Sequence, residues 1–232
     1  MPASAGTMES ERAMEEPPPK PDGKSEWWAS PAVVGLMGFG TTTMLAGLAN
    51  LPSPYGAGFG NVVGASPVAG NWTLFGTAIA FGGIAQLLAG FIALRKGNLF
   101  AGSAFVGYGS FWLAFTLMLT SFAPVAVATA GVPWLYGLAG FSFIWMMFTF
   151  TFLINAPKHG WGLLMVFLFL FIAFILLVVK FWSLASGSTT FDPSGSANWA
   201  VGGEIIFDGL IAWYVATATL TNSNYGRKVL PI

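Results

Sequence analysis

Long apolar runs separated by short polar breaks set the pattern of this chain. Runs at about 31–50, 74–94, 99–121, 134–154, 161–181 and 200–220 each hold around 20 predominantly apolar residues. That is the length an α-helix needs to cross the hydrocarbon core of a bilayer. Lipid offers no water to backbone N–H and C=O groups, so each run must close its hydrogen bonds internally, as a helix. The breaks carry the expected punctuation: Pro52 and Pro54 after the first run, Pro133 opening the fourth, and Asn155 with Pro157 closing it. Between the second and third runs the only charges are Arg95 and Lys96, followed by Gly97 and Asn98, a basic elbow between two spans. The stretch SGSTTFDPSGSANW, before the last run, is a cluster of turn-formers. The pattern predicts an all-α integral membrane protein of six transmembrane helices.

Composition agrees: 55% of the 232 residues are hydrophobic, 8% are charged and the mean hydropathy is +0.71, whereas a soluble domain carries about 25% charged residues. Polar content is concentrated at the start, where residues 1–29 mix Pro, Glu, Ser and Lys with no apolar run. Such a segment cannot bury enough surface to offset its ordering entropy, so it is predicted to be a disordered tail. Residues 30–222 form the six-helix domain and 223–232 a short C-terminal tail. The chain has no cysteine and one histidine, which excludes disulfides, thiolate nucleophiles and Cys- or His-rich metal sites. No phosphate loop, catalytic triad or basic nucleic-acid-binding face is present, so neither an enzyme, a cofactor, a metal nor a nucleic-acid partner is expected.

Charge sets the orientation. With the tail inside, Arg12, Lys20, Lys24, Arg95, Lys96, Lys158, Arg227 and Lys228 lie on the inner side and only Lys180 on the outer. Cytoplasmic loops collect Lys and Arg, so both termini are predicted to be cytoplasmic, in a multi-pass protein expected in the plasma membrane. Glu204 and Asp208 are the only acids in any predicted span, and their i, i+4 spacing puts them on one helix face. Two ionised carboxylates there need relief. They are solvated at the outer interface, or one pairs with Lys180, or one titrates and carries a proton.

Chemistry suited to a pathway gathers on the first three helices. Phe39 sits between Gly38 and Gly40, and Tyr108 between Gly107 and Gly109. Rings flanked by residues without side chains can project into a lumen, and two of them on separate helices can form a constriction. Thr41, Thr42, Thr43 and Gln86 offer hydroxyl and amide groups within the spans, although interhelical glue is their ordinary use. Asn50 and Asn71, with Trp72, stand where an outer vestibule would open.

The motifs GLMGFGTTT, FGGIAQLLAGFIALRKGN and FVGYGSFW, with the ending NYGRKVLPI, resemble the acetate uptake transporter family, which includes the succinate-acetate permeases and their fungal relatives. The resemblance covers most of residues 30–232. It implies a pore within each six-helix subunit, a homohexamer, and transport of acetate and similar small monocarboxylates, with succinate in some members. It also implies that Phe39, Tyr108 and Leu170 form a hydrophobic constriction. The first helix departs from the family's usual Asn-Pro-Ala-Pro-Leu-Gly-Leu, reading Ser30-Pro31-Ala32-Val33-Val34-Gly35-Leu36, and Ala93 and Thr219 stand where some members carry Glu. Substrate preference and proton coupling stay open on this reading.

A carboxylate needs donors, for which Thr41 to Thr43, Gln86 and the Tyr108 hydroxyl are candidates, and it crosses an apolar neck more cheaply as the neutral acid. Movement as acid, or as anion with a proton, is the expected mechanism, with Glu204 and Asp208 as candidate proton carriers. A channel for urea, amides or ammonia, and a membrane sensor signalling through the tail, are the alternative readings.

Overall fold

The computed structural model describes residues 29–52, 69–122, 133–191 and 195–232. The predicted tail, apart from Ala29, and most of the first two outer connections lie outside the described residues. Among those residues, six helices are long and apolar enough to span a bilayer: α1 (Ala32–Asn50), α2 (Thr73–Arg95), α3 (Leu99–Phe122), α4 (Trp134–His159), α5 (Trp161–Ala185) and α6 (Ala197–Tyr225). All six predicted runs are present. The last three are longer than the apolar runs suggest, because helix continues through polar residues once neighbours pack against it. Lys180, counted on the outer side by the charge distribution, lies within α5 and is only 1% exposed.

The elbow between α2 and α3 works as its residues suggest. Gly97 takes a positive φ of 75°, which a residue without Cβ adopts at little cost. Asn98 then caps α3, its Oδ1 accepting from the Ala101 N–H at 3.0 Å.

Small residues decide how α1 packs. A Cβ on Gly40 would stand 2.7 Å from the Gly209 carbonyl oxygen, and one on Gly47 would stand 2.7 Å from that of Gly202. On the α2 side, a Cβ on Gly38 would stand 2.6 Å from the Phe81 carbonyl oxygen. Helix α1 is thus wedged between α6 and α2 at backbone contact, as expected where lipid leaves close packing to hold helices together. Alongside Gly38, α2 itself departs from α geometry, running as a π-helix from Ala78 to Ala85 and ending one residue before Gln86. Within it, a Cβ on Gly83 would approach the helix's own Ala78 carbonyl at 2.6 Å.

The end of the chain folds back. Gly226 closes α6 in the left-handed conformation, and Asn222 then brackets the tail. Its Oδ1 accepts from Val229 N–H at 2.7 Å and Leu230 N–H at 2.8 Å, and its amide donates to the Leu230 carbonyl at 2.8 Å. Tyr214 donates to the Pro231 carbonyl at 2.8 Å, and Ile232 lies against Gly162 at the start of α5. Large apolar side chains such as Leu88, Ile144, Ile154 and Leu210 are exposed on the outside of the bundle. Hydrocarbon, not water, is the solvent such a surface suits.

Candidate functional site

Three helices share a ladder of inward-facing residues at helical spacing. On α1 it runs Ala32, Leu36, Phe39, Thr43, Ala46, Asn50; on α3, Ala101, Ala104, Phe105, Tyr108, Phe111, Trp112, Phe115; on α5, Leu163, Val166, Phe167, Leu170, Ala173, Phe174, Leu177. Steps of three and four keep side chains on one helix face, so each ladder points along the same axis through the bundle.

Two cavities lie on that axis. The first, about 50 Å³, reaches from the waist toward the Asn50 end and takes its polar lining from Thr43, Asn50, Trp112 and Ser142. The second, about 130 Å³, reaches toward the opposite end, where Gln86, Asn98 and His159 supply the polar groups. Phe39, Tyr108 and Leu170 are the residues common to both linings. They are 4%, 3% and 6% exposed, and the Phe39 and Tyr108 rings sit 5.6 Å apart at 60°.

The glycines beside these rings have a use the sequence did not state. Gly38 and Gly40 are in contact with α2 and α6, and Gly107 and Gly109 face Phe148 of α4 and Leu87 of α2. With both flanks held at backbone distance, the intervening ring is turned onto the axis. Tyr108 is anchored further: its hydroxyl lies 2.8 Å from Thr149 Oγ1, which itself donates to the Trp145 carbonyl at 2.8 Å. Thr149 has one proton, already committed to that carbonyl, so Tyr108 is the donor. The hydroxyl expected to face a substrate is instead committed to α4.

The other predicted residues divide. Thr43, Asn50 and Gln86 line the cavities. Thr42 donates to the Gly38 carbonyl at 2.9 Å beneath Gly82, and Thr41 accepts from Trp213 Nε1 at 2.8 Å. Neither lines a cavity, because a helix turns by about 100° per residue and only one of three consecutive threonines can follow the ladder. Trp112, Ser142, Asn98 and His159 were missed, although counting threes and fours from Tyr108 reaches Trp112.

Unpartnered polar atoms mark the cavity walls. Thr43 Oγ1 and Trp112 Nε1 in the first cavity, and Gln86 Oε1 in the second, are buried without a hydrogen-bond partner among the described residues. Buried polar groups are nearly always bonded, so such atoms point to a ligand or water. His159 stacks on Phe100 at 3.8 Å at the far end of the second cavity.

Glu204 and Asp208 line neither cavity, although Ile205 between them lines the first. Asp208 is fully buried and none of the four carboxylate oxygens has a hydrogen-bond partner among the described residues. A solvated position at the interface therefore does not describe Asp208. Pairing of either acid with Lys180 does not occur: the Lys180 Nζ donates to Asn50 Oδ1 at 2.9 Å, and the Glu204 and Asp208 oxygens have no described partner. The described residues contain no cluster of three metal-ligating side chains.

A six-helix membrane bundle with two cavities meeting at an aromatic and aliphatic waist has the architecture of a transporter or channel. The model of the GPR1/FUN34/yaaH family matches residues 15–231, and the chain belongs to that family. The succinate-acetate/proton symporter SatP of Escherichia coli K12 is 32% identical over 88% of this chain and 95% of its own. Acetate permease A of Emericella nidulans is 30% identical over 88% of this chain and 66% of its own. The solved structure of the bacterial acetate channel SatP superposes with a TM-score of 0.69 at 31% identity, covering 88% of this chain and 99% of that one.

Proposed function

We propose that this protein moves acetate and related small monocarboxylates, and the dicarboxylate succinate, across a membrane along the axis through its two cavities. The observation that carries the reading is the waist: Phe39, Tyr108 and Leu170, from three different helices, are the residues both cavities share. An apolar partition with polar groups on either side suits a solute that has one carboxyl group and a short alkyl end. Thr43, Asn50 and Trp112 receive the carboxyl group on one side and Gln86 on the other, in place of Thr41, Thr42 and the Tyr108 hydroxyl.

No charged side chain lines the waist, so an ionised carboxylate passing it loses water and gains no counter-ion. The solute therefore passes as the acid, or as anion and proton together. Asp208, buried beside the first cavity's Ile205, with Glu204 one turn away, is our candidate proton carrier.

We further propose that the end holding Arg95, Lys96, Lys158, Arg227 and Lys228 faces the cytoplasm of the plasma membrane, and that subunits assemble as a hexamer. The test is uptake of labelled acetate into proteoliposomes, with and without an inward proton gradient. We expect uptake that accelerates as the outer medium is acidified and that excess unlabelled acetate, but not urea, suppresses. Suppression by urea, or no acetate uptake at all, would replace this reading with a channel for neutral solutes.

A further inference from the structure

Lys180 is an ammonium group inside a transmembrane bundle, 1% exposed, with one described hydrogen bond, to Asn50 Oδ1. An ammonium has three protons. A buried charge is normally paired, because removing it from water without a counter-ion costs several kcal/mol. Neither Glu204 nor Asp208, the acidic side chains among the described residues, supplies that counter-ion.

Asn50 fixes where the charge stands. Its amide donates to the Ala46 carbonyl at 2.8 Å, which turns Oδ1 toward Lys180, and Asn50 itself lines the first cavity. The cation is thus tied to the wall of that cavity at the end remote from the waist. Two other groups on the wall have nothing to bond: Trp112 Nε1 can only donate, and the Thr43 hydroxyl can donate too. Trp112 and Thr43 are 4% and 3% exposed, so bulk water does not satisfy them. A cation one hydrogen bond behind the cavity wall at Asn50, with no second described acceptor, and two buried donors on the wall itself, around a cavity with space for a few water-sized groups, form a complement to a small anion rather than to a neutral molecule.

We propose that the first cavity is an anion site in which the carboxylate of the transported acid serves as the counter-ion of Lys180, with Thr43 and Trp112 donating to its oxygens. The proposal rests on the transport reading for the identity of the anion. It makes the pathway chemically asymmetric: the Asn50 end captures the charged carboxylate, while the second cavity offers only the amides of Gln86 and Asn98 and the His159 ring. Lys180 is then the residue that separates carboxylates from their neutral amides.

The test uses purified full-length protein titrated with sodium acetate, with sodium chloride and acetamide as controls, and reads the heat-unfolding midpoint. Acetate should raise the midpoint of the wild type and of Lys180→Arg. For Lys180→Met the concentration needed should rise roughly 10- to 100-fold, the range for loss of a charge-assisted hydrogen bond. Acetamide should do nothing in any variant. An equal chloride response would make the site one for small anions in general and overturn the assignment to carboxylates. Identical acetate titrations for wild type and Lys180→Met, or no shift in the wild type, would overturn the site itself. If Lys180→Met does not fold, Thr43→Val serves, and an unchanged acetate titration there overturns the proposal. Vesicle uptake separates the two readings. Acetate transport that ignores Lys180→Met removes the anion site and leaves the function, whereas Lys180-dependent binding without acetate transport does the reverse.

Discussion

Tyr108 shows how one side chain serves two purposes. Its ring closes the waist against Phe39, and its hydroxyl holds α3 to α4 through Thr149. The two can be separated. Tyr108→Phe keeps the ring and should lower stability by about 1 kcal/mol, one hydrogen bond, with acetate uptake retained. Tyr108→Ala removes the partition. It should cost on the order of 3 kcal/mol in packing and let larger acids such as lactate through, as read by unfolding in detergent and by vesicle uptake. Asp208→Asn is of nearly the same shape and places no charge in the bundle, so the fold should persist while uptake loses its response to an imposed pH gradient. An unaltered response would remove Asp208 as proton carrier. At this scale the sequence was legible where a residue is distinctive: Phe39 and Tyr108 stand out between glycines. It was not legible among Thr41, Thr42 and Thr43, where only the rotation of α1 decides which hydroxyl meets a cavity and which meets α2 or α6.

Packing at the level of elements rests on where backbone touches backbone. Gly47 faces α6, where a Cβ would lie 2.6 Å from the Ile206 side chain and 2.7 Å from the Gly202 carbonyl oxygen, while a Cβ on Gly76 would meet nothing within 4 Å. Gly47→Ala should therefore destabilise by about 1–3 kcal/mol through overpacking. Gly76→Ala should be neutral or gain up to about 1 kcal/mol from helix propensity. Thermal unfolding of both variants checks the pair, and equal midpoints would mean that α1 and α6 are not held at backbone distance. The bracket by Asn222 gives the ending NYGRKVLPI a packing role without any contact to a solute: Asn222→Ala should free the last residues to proteolysis and cost about 1–3 kcal/mol, as three hydrogen bonds are lost together. The π-helix over Ala78–Ala85 had no signature beyond Gly82 and Gly83, since its register depends on Phe81 meeting Gly38 of another helix.

For the whole molecule, six spans put the start of α1 and the end of the chain on one side of the bilayer, and a chain without cysteine makes this easy to check. Single cysteines at Ser30, Asn98 and Ile232 should react with a membrane-impermeant maleimide from one side, and one at Ser188 from the other. By charge, the first side should be the cytoplasm. Labelling of Ser30 and Ile232 from opposite sides would mean an odd number of crossings.

Hydrophobic run length, turn punctuation and the distribution of Lys and Arg are local properties of the chain. Run length and punctuation were enough to predict six helices and their order, because a bilayer imposes the same length and hydrogen-bonding demand on every span. Axial rotation is not local. It follows from which glycines seat against which neighbours, and it alone decided that Leu170 joins Phe39 and Tyr108 on the axis, that Thr43 rather than Thr41 reaches a cavity, and that Lys180 turns inward to Asn50. In lipid, apolar faces gain little by facing one another rather than hydrocarbon, so composition cannot mark the inward side and only close packing can.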